Sequence, residues 1–494
     1  MTGNTILILI VICGYLTLLL TLSHFVAKGA DNATFFTGNR KMPWPLVAIA
    51  MICAPISGVT FISVPGMVVT KGYSYLQMCL GFIVGYFIIS WVLIPLFYKK
   101  RIISIYSYLE DRFGGSANKT GAWLFLVSKI LGTAVKFFVI CNVLQLLVFQ
   151  SIGIPFPVTV VFTMLLIWLY TVKAGVKTVI WADLLKCLCL ILSVTLCLYF
   201  IISSMGLSVH ELYNVVSTHS SSRIFYFDNP DEDFYFWKQF IGGIFLVIAM
   251  TGLDQDMMQH PLSCKDAKSS KKNMIISSFL QVFVISLFLI LGTLLIIYAE
   301  KNTIELPFKS DDIFATVTFH KDLPIIVGIL FIIGLISATY SSIGSALTSL
   351  TTSYSIDISG IHNKYEGEAL SKKRKGIHTF LALIIAVVII MFYYMNRQDA
   401  ISAVFTLASY TYGPILGLFI VGLFTKWQPD TKFLPVICIL SPAFAWFVKW
   451  FAINYFDYSV GYELLLVNAA FTVSGLYLLY IFSRVGENIN KISE

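Results

Sequence analysis

Thirteen stretches of this 494-residue chain are apolar over a length close to that needed to cross a bilayer, about 20 residues each. They are Ile6–Val26, Trp44–Val69, Tyr75–Tyr98, Ala122–Phe149, Pro157–Val172, Val179–Ser204, Phe236–Leu253, Ile275–Tyr298, Leu323–Tyr354, Thr379–Met395, Ala400–Phe424, Phe433–Ile453 and Leu464–Ile481. In hydrocarbon each backbone polar group must be satisfied within its own segment, so helices are expected. No alternation of apolar and polar residues offers a competing strand pattern. Composition closes the alternatives: 57% of residues are hydrophobic and 12% charged, against roughly 25% charged in a soluble domain. So few charges cannot coat a water-soluble molecule of this size, which excludes a soluble enzyme, a disordered chain and a nucleic-acid binder. The expected fold is an all-α polytopic membrane protein with 13 transmembrane helices and the lipid bilayer as its partner.

The net charge of +8 follows from where the cations lie. With the N-terminus outside, the inner loops hold 23 Lys and Arg, and the outer loops hold six: Lys71, Arg223, Lys301, Lys309, Lys321 and Arg397. This bias predicts an outer N-terminus, a cytoplasmic C-terminus and an odd number of spans in the cell inner membrane. Met1–Leu7 has no Lys or Arg, so the first run reads as a retained helix rather than a cleaved signal. Most of the nine cysteines lie in apolar runs, and no Cys/His spacing suggests zinc. All seven histidines (His24, His210, His219, His260, His320, His362 and His378) fall in loops or near span ends. No paired nucleophile and base emerges, and no catalytic residue is expected. The longest outer segments, Met205–Phe234 and Glu300–Asp322, are long enough for a short helix or lid but not for a core.

Three runs are interrupted at mid-depth. In the second, Pro55 removes a backbone donor, Gly58 lowers helix propensity, and Pro65-Gly66 repeats both effects. Proline alone gives a kinked helix. A locally unwound segment with free carbonyls toward a cavity is the sharper reading, because Ser57, Thr60 and Ser63 share one face. In the seventh, Thr251-Gly252 marks a second break. Runs two and seven are five apart, and paired breaks in two five-helix halves are the mark of inverted-repeat carriers, with the site between them at the midplane. The ninth run, Gly334–Ser353, is filled with small and hydroxylated residues. These serve either tight helix packing or a hard cation that takes oxygen ligands; neutral oxygens suit a monovalent ion.

Six segments in order carry a likeness to a known family: Ser57-Gly-Val-Thr-Phe61, Ser107-Tyr-Leu-Glu-Asp-Arg-Phe113, Val179-Ile-Trp-Ala-Asp183, Asp254-Gln-Asp-Met-Met-Gln259, Ala338-Thr-Tyr-Ser-Ser-Ile343 and Gly413-Pro-Ile-Leu-Gly-Leu-Phe419. Over almost its whole length the chain resembles a bacterial member of the sodium/solute symporter family, which includes sodium-coupled sugar, iodide, pantothenate, proline and sialic-acid carriers. The resemblance implies a LeuT-type core of two inverted five-helix repeats. It divides the chain into 1–43 (an extra helix and inner loop), 44–204 (core helices one to five), 205–432 (core helices six to ten) and 433–494 (two further helices and an inner tail). It further implies a sodium ion bound by the carbonyls of Cys53, Ile56 and Ala338 and the hydroxyls of Ser341 and Ser342. A second sodium in some members matches Asp183 and Ser345 here, but Gly344 stands where such members can have a serine, and Lys186 is placed to neutralise Asp183. The implied activity is symport without covalent chemistry, in which sodium favours the outward state that binds a small-molecule solute. No obligate protein partner is evident.

Substrate candidates are Ser57, Thr60, Gln77, Lys136 and Thr251. Lys129 and Lys136 lie seven residues apart on one helix face, and an ionisable residue inside a span is a functional candidate by default. Lys129, near the inner end, is placed to snorkel; Lys136 lies two turns deeper, and the resemblance implies that it meets a substrate carboxylate, as a basic residue near this place can in organic-anion carriers of the family, the alternative being a structural partner of Asp183 or Asp254. Asp254, Gln255 and Asp256 read as a solvated boundary cluster or as an inner gate pairing with Lys265 or Lys268. The favoured solute is a small organic anion such as a sialic acid or monocarboxylate. A sugar or polyol is the alternative, and a solute-sensing transceptor a third.

Overall fold

Two sharp bends organise the helices of the computed structural model. It describes the chain apart from residues 1–2, 146–148, 151–152, 174, 321–322, 396–399, 459 and 494, and apart from the side chains of 3–8, 139, 209, 395, 400–405 and 485–493. Lys321 and Arg397, counted above among the outer cations, lie outside the described residues. In chain order the main helices are α1 (Gly3–Val26), α2 (Trp44–Cys53), α3 (Gly58–Lys71), α4 (Tyr75–Lys100), α5 (Gly115–Leu144), α6 (Phe156–Thr171), α7 (Val176–Met205) and α8 (Phe236–Gly252). They continue with α9 (Gln255–Leu262), α10 (Ala267–Lys301), α11 (Ile325–Ile358), α12 (Gly367–Met395), α13 (Ala400–Phe424), α14 (Leu434–Phe456) and α15 (Leu464–Ser493).

Among the described residues ten helices are long and apolar enough to cross a bilayer, and two bent pairs raise the number to 12 if each is one span. The pairs are α2 with α3, bent by 52°, and α8 with α9, bent by 70°. The expected run Pro157–Val172 corresponds to α6, whose 16 residues rise about 24 Å, short of the roughly 30 Å hydrocarbon core.

Helices outrun the apolar stretches wherever polar ends continue into the loops. α10 begins at Ala267, where the Asp266 carboxylate accepts from the Ser269 N–H at 2.8 Å and caps it. The most consequential difference is at run seven. The expected end at Leu253 is only a break, and the chain resumes as α9 down to Leu262. The opposite correction applies to Pro65-Gly66, where α3 runs through unbroken. Gly66 there lets a short helix in the outer segment, Ser310–Thr318, pack closely, since a Cβ at 66 would lie 1.9 Å from the Ser310 carbonyl oxygen. The other outer segment carries the helix Val209–Thr218. Large apolar side chains on the outside of the bundle, such as Trp446, Phe447, Trp450 and Phe451 on α14, face where lipid would lie.

α7 packs on both α2 and α11, α10 on α2 and α3, α8 on α4, and α5 on α11 and α13. The first broken pair thus packs against α7 and α10, and the second is held by α4.

Candidate functional site

The first break follows from its residues. Pro55 has no N–H to donate, so the α2 ladder ends; the Ile56 N–H instead closes a turn on the Cys53 carbonyl at 3.0 Å. Ser57 is extended (φ −106°, ψ 176°), and its N–H donates to Thr60 Oγ1 at 3.3 Å, which restarts the helix as α3. Among the described residues the carbonyls of Ala54, Pro55 and Ile56 accept no hydrogen bond. At the second break α8 widens into a π-type turn over Ile248–Gly252. Asp254 is extended, and its carboxylate accepts from the N–H groups of Asp256 (2.7 Å) and Met257 (3.3 Å) to start α9.

Both breaks line one cavity of about 130 Å³, room for on the order of ten waters. Ser57, Thr60, Lys136 and Thr251 line it, as do Ile56, Ser342 and Ser345. Gln77 does not. Its Nε2 donates to the Phe234 carbonyl (2.8 Å) and its Oε1 accepts from the Tyr226 N–H (3.0 Å), so it braces the outer segment against α4.

The aspartates of the second break correct the expectation most clearly. Asp254 and Asp256 are buried, and neither pairs with Lys265 or Lys268. Lys129 reaches across from α5 to Asp254 Oδ2 at 3.0 Å and Asp256 Oδ2 at 2.6 Å rather than snorkelling. Tyr412 on α13 donates to Asp254, and Ser345 on α11 to Asp256. Lys136 lines the same cavity, and among the described residues no carboxylate or hydrogen-bond acceptor is paired with its ammonium. It pairs with neither Asp183 nor Asp254.

Of the residues expected to hold sodium, Ile56 and Ser342 line the cavity, with Cys53 at the end of α2 and Ala338 and Ser341 on α11 with Ser342. The Ser342 hydroxyl donates to the Ala338 carbonyl at 2.8 Å and accepts from Lys186 Nζ at 2.9 Å. The Ser341 hydroxyl donates to Asp183 Oδ1, while Asp183 Oδ2 meets His260 Nε2 at 2.7 Å. His260 is thus a fully buried partner rather than a span-end residue; His378 is buried too, between Thr171 and Thr351. The donor set suits a monovalent cation: neutral hydroxyls on α11 and, at the first break, the Ile56 carbonyl, which accepts no hydrogen bond among the described residues, while the Cys53 carbonyl accepts from the Ile56 N–H and the Ala338 carbonyl from the Ser342 hydroxyl. Asp183 and Ser345 keep separate partners, since Ser345 Oγ accepts from Gln259 Nε2 and bonds Asp256. Gly344, next to Ser345 in the chain, cannot be a serine without movement, because a Cβ there would lie 1.7 Å from Tyr170 Oη, itself bonded to the Tyr340 carbonyl.

The geometry is that of a membrane carrier: two broken helices lining one cavity whose largely apolar wall carries a few polar and charged groups. The chain belongs to the sodium:solute symporter family, whose model matches residues 35–429. This is a family of sodium-coupled transporters. The chain is 26% identical to the sodium/sialic acid symporter SiaT of Proteus mirabilis over 84% of each chain. It is 24% identical to the sodium/sialic acid symporter NanT of Aliivibrio fischeri, with 91% of this chain and 88% of that one covered. The human sodium/iodide cotransporter is 23% identical over 81% of this chain, which spans 62% of that protein's length. Among solved structures, a substrate-bound, outward-open sodium-coupled sialic acid symporter superposes with a TM-score of 0.81 at 22% identity, covering 96% of this chain and 98% of the other. Mhp1, a nucleobase–cation symporter, superposes at 0.54 and 14% identity, covering 91% and 94%. These confirm the expected transporter fold.

Proposed function

We propose that this protein imports a small organic anion together with sodium by alternating access, without covalent chemistry, at the cavity between the two breaks. The observation that carries the reading is the Lys136 ammonium, which lines the cavity with no counterion among the described residues while Lys129 is matched by two aspartates. The two lysines and two aspartates balance, so one anion entering with one sodium keeps the buried site neutral. Desolvated charges demand such matching. Relatives named for iodide, sialic acid and monocarboxylates carry anions, which supports the same class.

Sodium ligands on this reading are the carbonyls of Cys53, Ile56 and Ala338 with the hydroxyls of Ser341 and Ser342; Asp183 and Ser345 do not make a second site. The solute contacts Ser57, Thr60, Thr251 and Lys136. Counting α6 as a span gives 13, with the N-terminus outside, the C-terminus cytoplasmic and inverted repeats over 44–204 and 205–432. A sugar or polyol is the second reading, supported by the hydroxyls of Ser57 and Thr60 and by Tyr86, bonded to Gln281 at 2.9 Å, all in the cavity wall.

A thermal-shift panel of sialic acids, monocarboxylates, amino acids and sugars on the purified protein, with sodium or choline, tests this. The anion reading requires a sodium-dependent shift for an anion that is lost in Lys136→Ala. A sodium-dependent shift for a sugar alone selects the second reading.

A further inference from the structure

Lys186 is the one buried cation of the sodium region that symport as described leaves without a task. It sits on α7, the helix that packs on both α2 and α11, and its side chain is fully buried. An ammonium buried in this way needs oxygen partners. It has one at 2.9 Å, the Ser342 hydroxyl, and a second at 3.9 Å, Asp183 Oδ1. Ser342 is an expected sodium ligand. Asp183 Oδ1 is the atom to which Ser341, the other hydroxyl ligand, donates. Both hydroxyls therefore touch this one charge pair, Ser342 as acceptor and Ser341 as donor.

The geometry points to a tethered cation: the Lys186 ammonium competes with sodium for Ser342, and sodium binds as the lysine withdraws onto Asp183. The two residues are one turn apart on α7, so closing the remaining gap needs a side-chain rotation and no helix movement. That single motion frees Ser342, which regains a lone pair. Ser341 keeps its bond to Asp183 Oδ1, which the ammonium then shares, and its own lone pairs stay open to a cation because it is the donor there. His260 holds the other oxygen of Asp183 at 2.7 Å, which fixes the carboxylate as the receiving end. With its ammonium on Ser342, the lysine fastens α7 to α11 where the coupling ion would join α11 to α2. Lys186 is thus a positioning residue that sets the sodium concentration at which the carrier couples.

This inference rests on the sodium site proposed above, and one experiment separates the two. Sodium is titrated against choline at constant ionic strength on the purified full chain, and the midpoint of thermal stabilisation is recorded. The variants are Lys186→Met, the charge-matched pair Asp183→Asn with Lys186→Met, and Ser342→Ala. Removing the competitor is expected to lower the sodium midpoint by about tenfold or more in both lysine variants, a gain that mere loss of packing does not produce. Ser342→Ala is expected to lose the sodium response. A lysine-variant midpoint equal to or above wild type, with Ser342→Ala unresponsive, overturns the competition and leaves the site standing. A wild-type response in Ser342→Ala overturns the site itself. The double variant decides the matter if the single one does not fold, since it leaves no unmatched charge.

Discussion

Replacing Lys129 by Met is the most revealing single change to the cavity. The ammonium lies 3.0 Å from Asp254 and 2.6 Å from Asp256, and both carboxylates are about 2% exposed. At an effective dielectric of about 20 each contact is a gross attraction of about 5–6 kcal/mol. Desolvation and the repulsion between the carboxylates take back most of it. What Met leaves behind is two facing buried carboxylates with no cation, and breaking a buried pair in this way costs about 3–5 kcal/mol. For 494 residues at about 2.1 cal/mol/K each, the unfolding entropy is about 1 kcal/mol/K, so the melting temperature falls by about 3–5 °C. The assay is thermal unfolding of the purified protein in detergent. The triple variant Lys129→Met, Asp254→Asn, Asp256→Asn is expected to regain most of the loss, because it removes the unmatched charge. A single variant that melts with wild type, or a triple variant no better than the single, refutes the reasoning.

Other changes discriminate among the assigned roles. Lys136→Ala removes a charge-assisted contact of about 1.5–3 kcal/mol, so the half-saturating concentration of the anion rises about 10- to 150-fold, measured by uptake. Gln77→Leu leaves the Phe234 carbonyl and the Tyr226 N–H without partners, costing about 1–3 kcal/mol each; stability is expected to fall while half-saturation for solute holds, and a weakened solute affinity returns Gln77 to the pocket. Gly58→Val places a Cβ 2.0 Å from Thr339 Oγ1 and pries α3 from α11. Such overpacking costs about 1–3 kcal/mol, seen as a lower melting point and a weaker sodium response.

The breaks were legible because Pro55 and Thr251-Gly252 stand inside apolar runs, where only a cavity makes irregular backbone tolerable. Ser57, Thr60 and Thr251, which flank the breaks, and Lys136, an ionisable residue inside a run, line that cavity. Run seven was cut short because hydropathy falls at Asp254-Gln-Asp256, although α9 continues beyond them. Polar residues at a helix break face the cavity rather than water, and a hydropathy window cannot tell the two apart. The misplacement of Gln77 has another origin: position in a run gives depth but not face, and its face meets the outer segment. The i,i+3 spacing of Asp183 and Lys186 was legible, but Lys129 meets Asp254 and Lys186 meets Ser342 across 125 and 156 residues, and no local pattern reports such pairs. His260 was passed over because the helix that carries it was not foreseen.

Coupling is tested most directly by solute accumulation in liposomes containing the purified protein, with an inward gradient of sodium, potassium or choline. The account predicts that an organic anion is concentrated inside only under the sodium gradient. Equal accumulation under choline or potassium contradicts it.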